Sequence, residues 1–179
     1  MELVLRVRIP GWALDLPVPS DLYRYAEIAG KPPSLKVNGT PVEIELEKGY
    51  AQLERTWTSG DVVELELPMP VRRVLAHANV EANQGRVALE RGPLVYCAEG
   101  VDNDGRVHDI IVPDNSSFQV IQRPNLLQGI VAITGEVETV SGESADTTPE
   151  TNQRTLFAIP YYAWAHRGRG EMAVWLKRK

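Results

Sequence analysis

"LKVNGTPVEIELEKGYAQLERTW", residues 35–57, decides the fold of this chain. Asn38-Gly39 accepts the positive φ angles of a two-residue hairpin turn, so the flanking residues are expected to pair as antiparallel strands. After the turn, Val42, Ile44 and Leu46 alternate with Glu43, Glu45 and Glu47. That period of two is the pattern of a strand with one buried and one solvated face. Gly49 opens a return strand through Leu53 toward Trp57. Upstream, Leu3, Leu5, Val7 and Ile9 share one face while Arg6 and Arg8 share the other. Downstream, a turn at Gly60-Asp61 leads into a strand with Val63, Leu65 and Leu67 inward and Glu64 and Glu66 outward.

Between these strands, "VPSDLYRYAEIAGKPP" predicts the one short helix of the chain, capped by Ser20 or Asp21 and stopped at Gly30 ahead of Pro32. Pro68 and Pro70 mark an internal boundary, which divides the chain into a partial first β-sandwich, 1–70, and a second β-sandwich, 71–179. The second part has a turn near Gln84-Gly85 and a bend at Arg91-Gly92-Pro93. It then has a continuous apolar run, Leu94 to Ala98, that suits a strand buried on both faces. Further strands are expected at 110–112, 118–121 and 129–140. The polar, acidic stretch 141–153 reads as a surface loop. The closing residues read as two strands joined across Arg167 to Gly170. Short strands at regular spacing predict an all-β, antiparallel, jelly-roll-like sandwich.

With 179 residues the chain can bury roughly 70% of its unfolded surface, so neither metal nor disulfide is needed for folding. A net charge of -5 argues against nucleic acid or an anionic membrane as partner. No apolar stretch approaches the roughly 20 residues of a membrane-spanning helix. The N-terminus begins directly with strand alternation and has no basic-then-apolar export signal, so the expectation leans to a cytoplasmic protein and to an excerpt of a longer polypeptide.

Cys97 is the single cysteine, which rules out an internal disulfide and a thiolate-rich zinc site. It stands between Tyr96 and Ala98 in the most apolar strand, with no histidine nearby in sequence, and is expected in the core. His77, His108 and His166 lack the spacing of local metal ligands. "VDNDG" at 101–105 lacks the acids of a calcium loop. No G-x-S-x-G elbow occurs, and the strand glutamates read as solvated faces. The remaining candidates are aromatic. Trp12, after Pro10-Gly11, and Trp164, near the 166–170 bend, are the tryptophans expected at the surface, whereas Trp175 alternates with Ala173 and reads as core. Trp12, Tyr161, Tyr162 and Trp164, with Arg167, are the predicted contact residues for a carbohydrate or a neighbouring domain.

Several phrases together, "LRVRIPGWA", "VNGTPV", "GYAQLERTWTSGDVVELELPMPVRRV", "GRVALERGPLVYCAEGVDN" and "IPYYAWAHRGRGEMAVWL", resemble the C-terminal β-sandwich region of the β-L-arabinofuranosidase family, glycoside hydrolase family 127. The likeness runs from about Leu3 to Leu176. Its members are for the most part bacterial. The resemblance implies an (α/α)6 catalytic barrel elsewhere in a parent chain, carrying a zinc ion and a nucleophilic cysteine. Cys97 falls in the sandwich motif "RGPLVYCAE", so the resemblance assigns it no catalytic or zinc role. The implied role is a non-catalytic accessory region that packs on that barrel and supports dimerisation, without cofactor of its own. The alternative is a free-standing module for arabinose-containing glycans. The resemblance also implies that the first sandwich lacks its earliest strands, which leaves an open strand edge.

Overall fold

A computed structural model describes residues 1–141 and 150–179. The first strands are β1 (Glu2–Arg8), β2 (Tyr23–Tyr25), β3 (Ser34–Val37), β4 (Thr40–Val42), β5 (Leu46–Glu47), β6 (Tyr50–Thr56) and β7 (Val63–Glu66). They are followed by β8 (Val71–Ala76), β9 (Arg86–Arg91), β10 (Leu94–Glu99), β11 (Ile110–Val112), β12 (Phe118–Arg123), β13 (Ile130–Ser141) and β14 (Glu150–Pro160). Two short strands, β15 (Met172–Ala173) and β16 (Leu176–Arg178), close the chain. The fold is all-β and sandwich-like, and nearly all pairings are antiparallel; β11 and β16 run parallel.

In the first half, sheet β1-β6-β5 and sheet β4-β3-β7 enclose a core of Ile9, Leu35, Val37, Ala51 and Leu53. The expected hairpin is present: Asn38 and Gly39, at φ 51 and 76, connect β3 to β4. Lys48 and Gly49, at φ 50 and 81, do the same between β5 and β6. The expected unbroken strand through Leu46 is corrected. The chain leaves one sheet after Val42 and joins the other at Leu46, and Leu46 is exposed. Crossing between sheets interrupts the alternation, which a local pattern does not reveal. Among the described residues β1 pairs only with β6, which leaves its other edge open.

The helix expected between Ser20 and Gly30 is absent. Tyr23–Tyr25 is instead a strand, β2, hydrogen-bonded to β8. Tyr25 is buried against Val74 and Ala88, and this packing overrides the local capping signal. The described helical turns are short 3-10 segments, such as Gly11–Leu14 and Tyr161–Ala163.

The second half contributes β8 to β16 to a ten-stranded sheet that folds back on itself and is completed by β2. β10 is shared: Leu94 and Val95 pair with β9, and Tyr96 to Ala98 pair with β14. Tyr96 and Ala98 face one core cluster and Cys97 another, so β10 is buried on both faces, as its apolar run predicts. The β9–β10 turn places Gly92 at φ 59, where an added Cβ would lie 2.4 Å from Met69. The main core gathers Val87, Leu89, Tyr96, Ile110, Val112, Ile133, Val137 and Leu156. Residues 142–149 of the predicted loop 141–153 lie outside the described residues. Its last four residues, Glu150 to Gln153, are corrected to strand, paired with β13. The closing segment is also corrected: β14 and β15 do not pair with each other but flank β10 on opposite sides.

Candidate functional site

Cys97 is fully buried with Ile130, Ala132, Ile159 and Ala163. Desolvation pushes its thiol up to about 12, so the thiolate needed for nucleophilic attack is scarce at neutral pH. The core role read from the sequence stands. Among the described residues, no three His, Cys, Asp or Glu side chains gather as a metal would require.

The predicted aromatic and arginine residues near the C-terminus do converge. β14 ends at Pro160, the chain makes the 3-10 turn Tyr161–Ala163, and Tyr161 stacks on Trp164 with centroids 5.8 Å apart and planes 10° apart. These rings are exposed, Tyr161 by 45% and Trp164 by 40%, and the neighbouring Tyr162 by 63%. Large aromatics displayed together this way mark a contact surface more than a stray exposed residue. Trp164 and Val101 line an open groove of about 420 Å³ with Glu99, Arg167, Arg169 and Glu171.

The same groove holds a fixed ion network. Arg167 grips both oxygens of Asp102, at 2.8 and 2.5 Å, and donates to Glu99 as well. Hydrogen bonding to Asp102, reinforced by Glu99, raises the guanidinium pKa and keeps it charged. The two carboxylates outnumber the one cation, leaving the network net negative. Glu99 is buried at the end of β10 and also accepts the Ala165 N–H at 3.2 Å. That bond supports Ala165 at φ 68, a left-handed conformation that costs a non-glycine residue about 1 kcal/mol or more. Asn103, itself buried, completes the support. Its amide donates to the carbonyls of Glu99 and Phe157, and its oxygen accepts the Phe157 N–H at 3.1 Å.

Trp12 is not part of this face. It is half-buried and lines a separate groove of about 450 Å³ with Arg8, Leu14, Leu16, Pro17 and Lys48. Trp175 packs at the core edge and stacks on Tyr23 at 5.6 Å. Sequence reasoning missed a second charged cluster, around Arg72. This buried side chain pairs with Asp15 at 2.6 Å, donates to the Glu27 carbonyl and lies 3.5 Å from the centre of the Tyr25 ring. The Tyr25 hydroxyl donates to Glu90, whose carboxyl is pushed up by desolvation. An arginine in an otherwise alternating strand, "VRRVLA", was the available signal. Its partners lie far off in sequence and could not be assigned.

These sheets define a β-sandwich module that displays an exposed aromatic face. Residues 71–177 match the glycoside hydrolase family 127 C-terminal domain, and residues 1–69 match the beta-L-arabinofuranosidase, GH127 middle domain. The chain therefore belongs to glycoside hydrolase family 127. It is 34% identical over 185 residues to the non-reducing end beta-L-arabinofuranosidase of Bifidobacterium longum subsp. longum, covering 96% of this chain and 25% of that protein. A solved GH127 beta-arabinofuranosidase superposes over 100% of this chain and 28% of its own, at TM-score 0.94 and 44% identity. A GH127 beta-L-arabinofuranosidase from Geobacillus stearothermophilus superposes over 100% of this chain and 27% of its own, at TM-score 0.86 and 39% identity. The chain thus spans about a quarter of the length of these relatives.

Proposed function

We propose that the chain is a non-catalytic accessory region of a larger glycoside hydrolase of the β-L-arabinofuranosidase type. Its first sandwich occupies residues 1–70 and its second 71–179. The Tyr161–Trp164 stack, with Tyr162, Val101 and the Arg167 network, serves as the face that docks on a catalytic barrel of the same parent chain. Any zinc chemistry belongs to that barrel. The observation that carries this reading is the exposed aromatic stack whose Trp164 borders the same groove as a pinned, half-buried arginine, since Trp, Tyr and Arg are the residues that concentrate binding energy at protein contacts. The open edge of β1 remains available for pairing two copies.

The purified chain is expected to release no arabinose from an aryl β-L-arabinofuranoside. An immunoblot of source cells is expected to show a band several times heavier than 179 residues. Turnover by the purified chain that persists through repurification would overturn the reading, as would a native band of 179 residues.

A second reading is favoured by one observation, the exposed Trp164 ring bordering a groove lined by Glu99, Arg169 and Glu171. On it the chain is a free-standing module that stacks arabinose-containing glycans on Trp164. A saturable change in tryptophan fluorescence with arabinan oligosaccharides, abolished by Trp164→Ala, would select this reading over the first.

A further inference from the structure

We propose that the Trp12 groove is a binding site for a carboxylate-bearing sugar, a uronic acid unit within an oligosaccharide. The sugar class rests on the chain's membership of a glycan-hydrolysing family; the anionic preference rests on the groove itself.

The groove lies where β1 runs out at Arg8 and the β5–β6 hairpin turns at Lys48-Gly49. Trp12 supplies an aromatic surface, and Leu16 and Pro17 supply apolar walls. A pyranose ring offers a C–H face that lies against such a surface while its substituents point outward. The volume of about 450 Å³ has room for more than one sugar unit.

Two cations stand on the rim. Arg8 is pinned: its Nη1 donates to the Ile9 and Gly49 carbonyls, both at 2.7 Å. Gly49 permits this approach, because a Cβ there would meet that nitrogen at 2.1 Å. Pinning through Nη1, with the guanidinium carbon 5.4 Å from the centre of the Tyr50 ring, leaves the N–H groups on Nε and Nη2 for a ligand at little further entropic cost. Lys48 is the neighbouring residue in the hairpin. Among the described residues neither Arg8 nor Lys48 forms an ion pair, in a chain whose acidic side chains outnumber its Lys and Arg by 24 to 19. The nearby acids are engaged elsewhere: Glu47 accepts from Gln52, and Asp15 pairs with Arg72. Two unpaired cations beside a tryptophan, with local carboxylates turned to other partners, complement a ligand with an apolar ring and a carboxylate. Both contacts are exposed to solvent, so they fix preference more than tightness and weaken with salt.

The test is a titration of the whole chain with tri-galacturonate, followed by tryptophan fluorescence at low salt, beside the neutral trisaccharide of galactose. Saturable binding in the millimolar range is expected, about tenfold weaker for the neutral sugar and weakened by 0.5 M salt. Lys48→Asn suits the left-handed turn and removes one charge; it is expected to weaken tri-galacturonate binding about threefold without unfolding the chain. No saturable signal with tri-galacturonate, equal affinity for the neutral sugar, or an unchanged Lys48→Asn titration would overturn the proposal. Neutral arabinan binding that Trp164→Ala abolishes would leave the second functional reading standing while this inference fails.

Discussion

Replacing Arg72 by methionine is expected to destabilise the chain by about 3 kcal/mol. Arg72 is 7% exposed, and methionine keeps its aliphatic stem while removing every polar contact. Breaking a buried ion pair by deleting one partner costs roughly 3–5 kcal/mol. Here Asp15 is 39% exposed on its side chain and regains water, so the lower end of that range applies. The lost bond to the Glu27 carbonyl and the lost face-on contact with Tyr25 are already counted in that figure, since the same guanidinium makes all three. For a chain of 179 residues, about 3 kcal/mol corresponds to a fall in Tm of roughly 6–12 °C. Thermal and urea unfolding, followed by far-ultraviolet circular dichroism, measure this directly. Arg72→Lys keeps a charge but not the planar fork and stack, and is expected to lose about half as much. A shift below ~2 °C for Arg72→Met would refute the view that Arg72 ties Asp15, Glu27 and Tyr25 to β8.

Other consequences are equally open to measurement. With its thiol pushed up to about 12, Cys97 is expected to resist iodoacetamide for hours in the folded chain at pH 8 and to label within minutes in urea. Rapid labelling of the folded chain would contradict its burial. Asn103→Ala strips hydrogen bonds from the carbonyls of Glu99 and Phe157 and from the Phe157 N–H, at an expected cost of about 2–3 kcal/mol in urea unfolding. Glu171 accepts the Val107 and His108 N–H groups, and the Val107 bond chiefly holds its pKa below the ordinary carboxylate value. Its stabilisation is therefore complete above the unfolded-state pKa and fades as pH falls through the folded one. Glu171→Gln is expected to flatten the loss of stability between pH 5 and pH 3. Glu90, raised by desolvation, has the opposite sign: its contribution is complete below the unfolded-state pKa near 4.5 and declines as pH rises through the folded one. A Glu90→Gln variant that showed the same rise in this component on acidification would count against that assignment.

Local chemistry accounts for what the sequence made legible. Asn38-Gly39 specifies its own turn, and Val63 and Leu65 alternate with Glu64 and Glu66 in the way their strand is buried. The buried strand Leu94–Glu99 and the strand Ile110–Val112 were visible because β-forming apolar residues are bracketed by turn residues. What failed was set by distant partners. The capping residues ahead of Tyr23 suggested a helix, yet Tyr23 and Tyr25 lie opposite Ala76 and Val74 in the sheet, about fifty positions away. Leu46 keeps step with Val42 and Ile44 in sequence but is separated from them by a crossing between sheets. For the candidate face, Tyr161, Tyr162, Trp164 and Arg167 share one short segment and were found together. Glu99 and Asp102, which fix Arg167, come from the end of another strand and the turn after it, and nothing local ties them to it.

The pairing of β2 with β8 has a practical meaning for anyone dividing this molecule. The family match changes between residues 69 and 71, which invites excision of the C-terminal part from Val71 onward. Such an excised piece would begin at the first residue of β8 and would leave behind Tyr23–Tyr25, the strand that closes its edge. The bare β8 edge, with Val74 and Leu75 newly wetted, would offer itself to another copy, so insolubility or runaway strand exchange would report a misplaced cut and not an unstable sandwich.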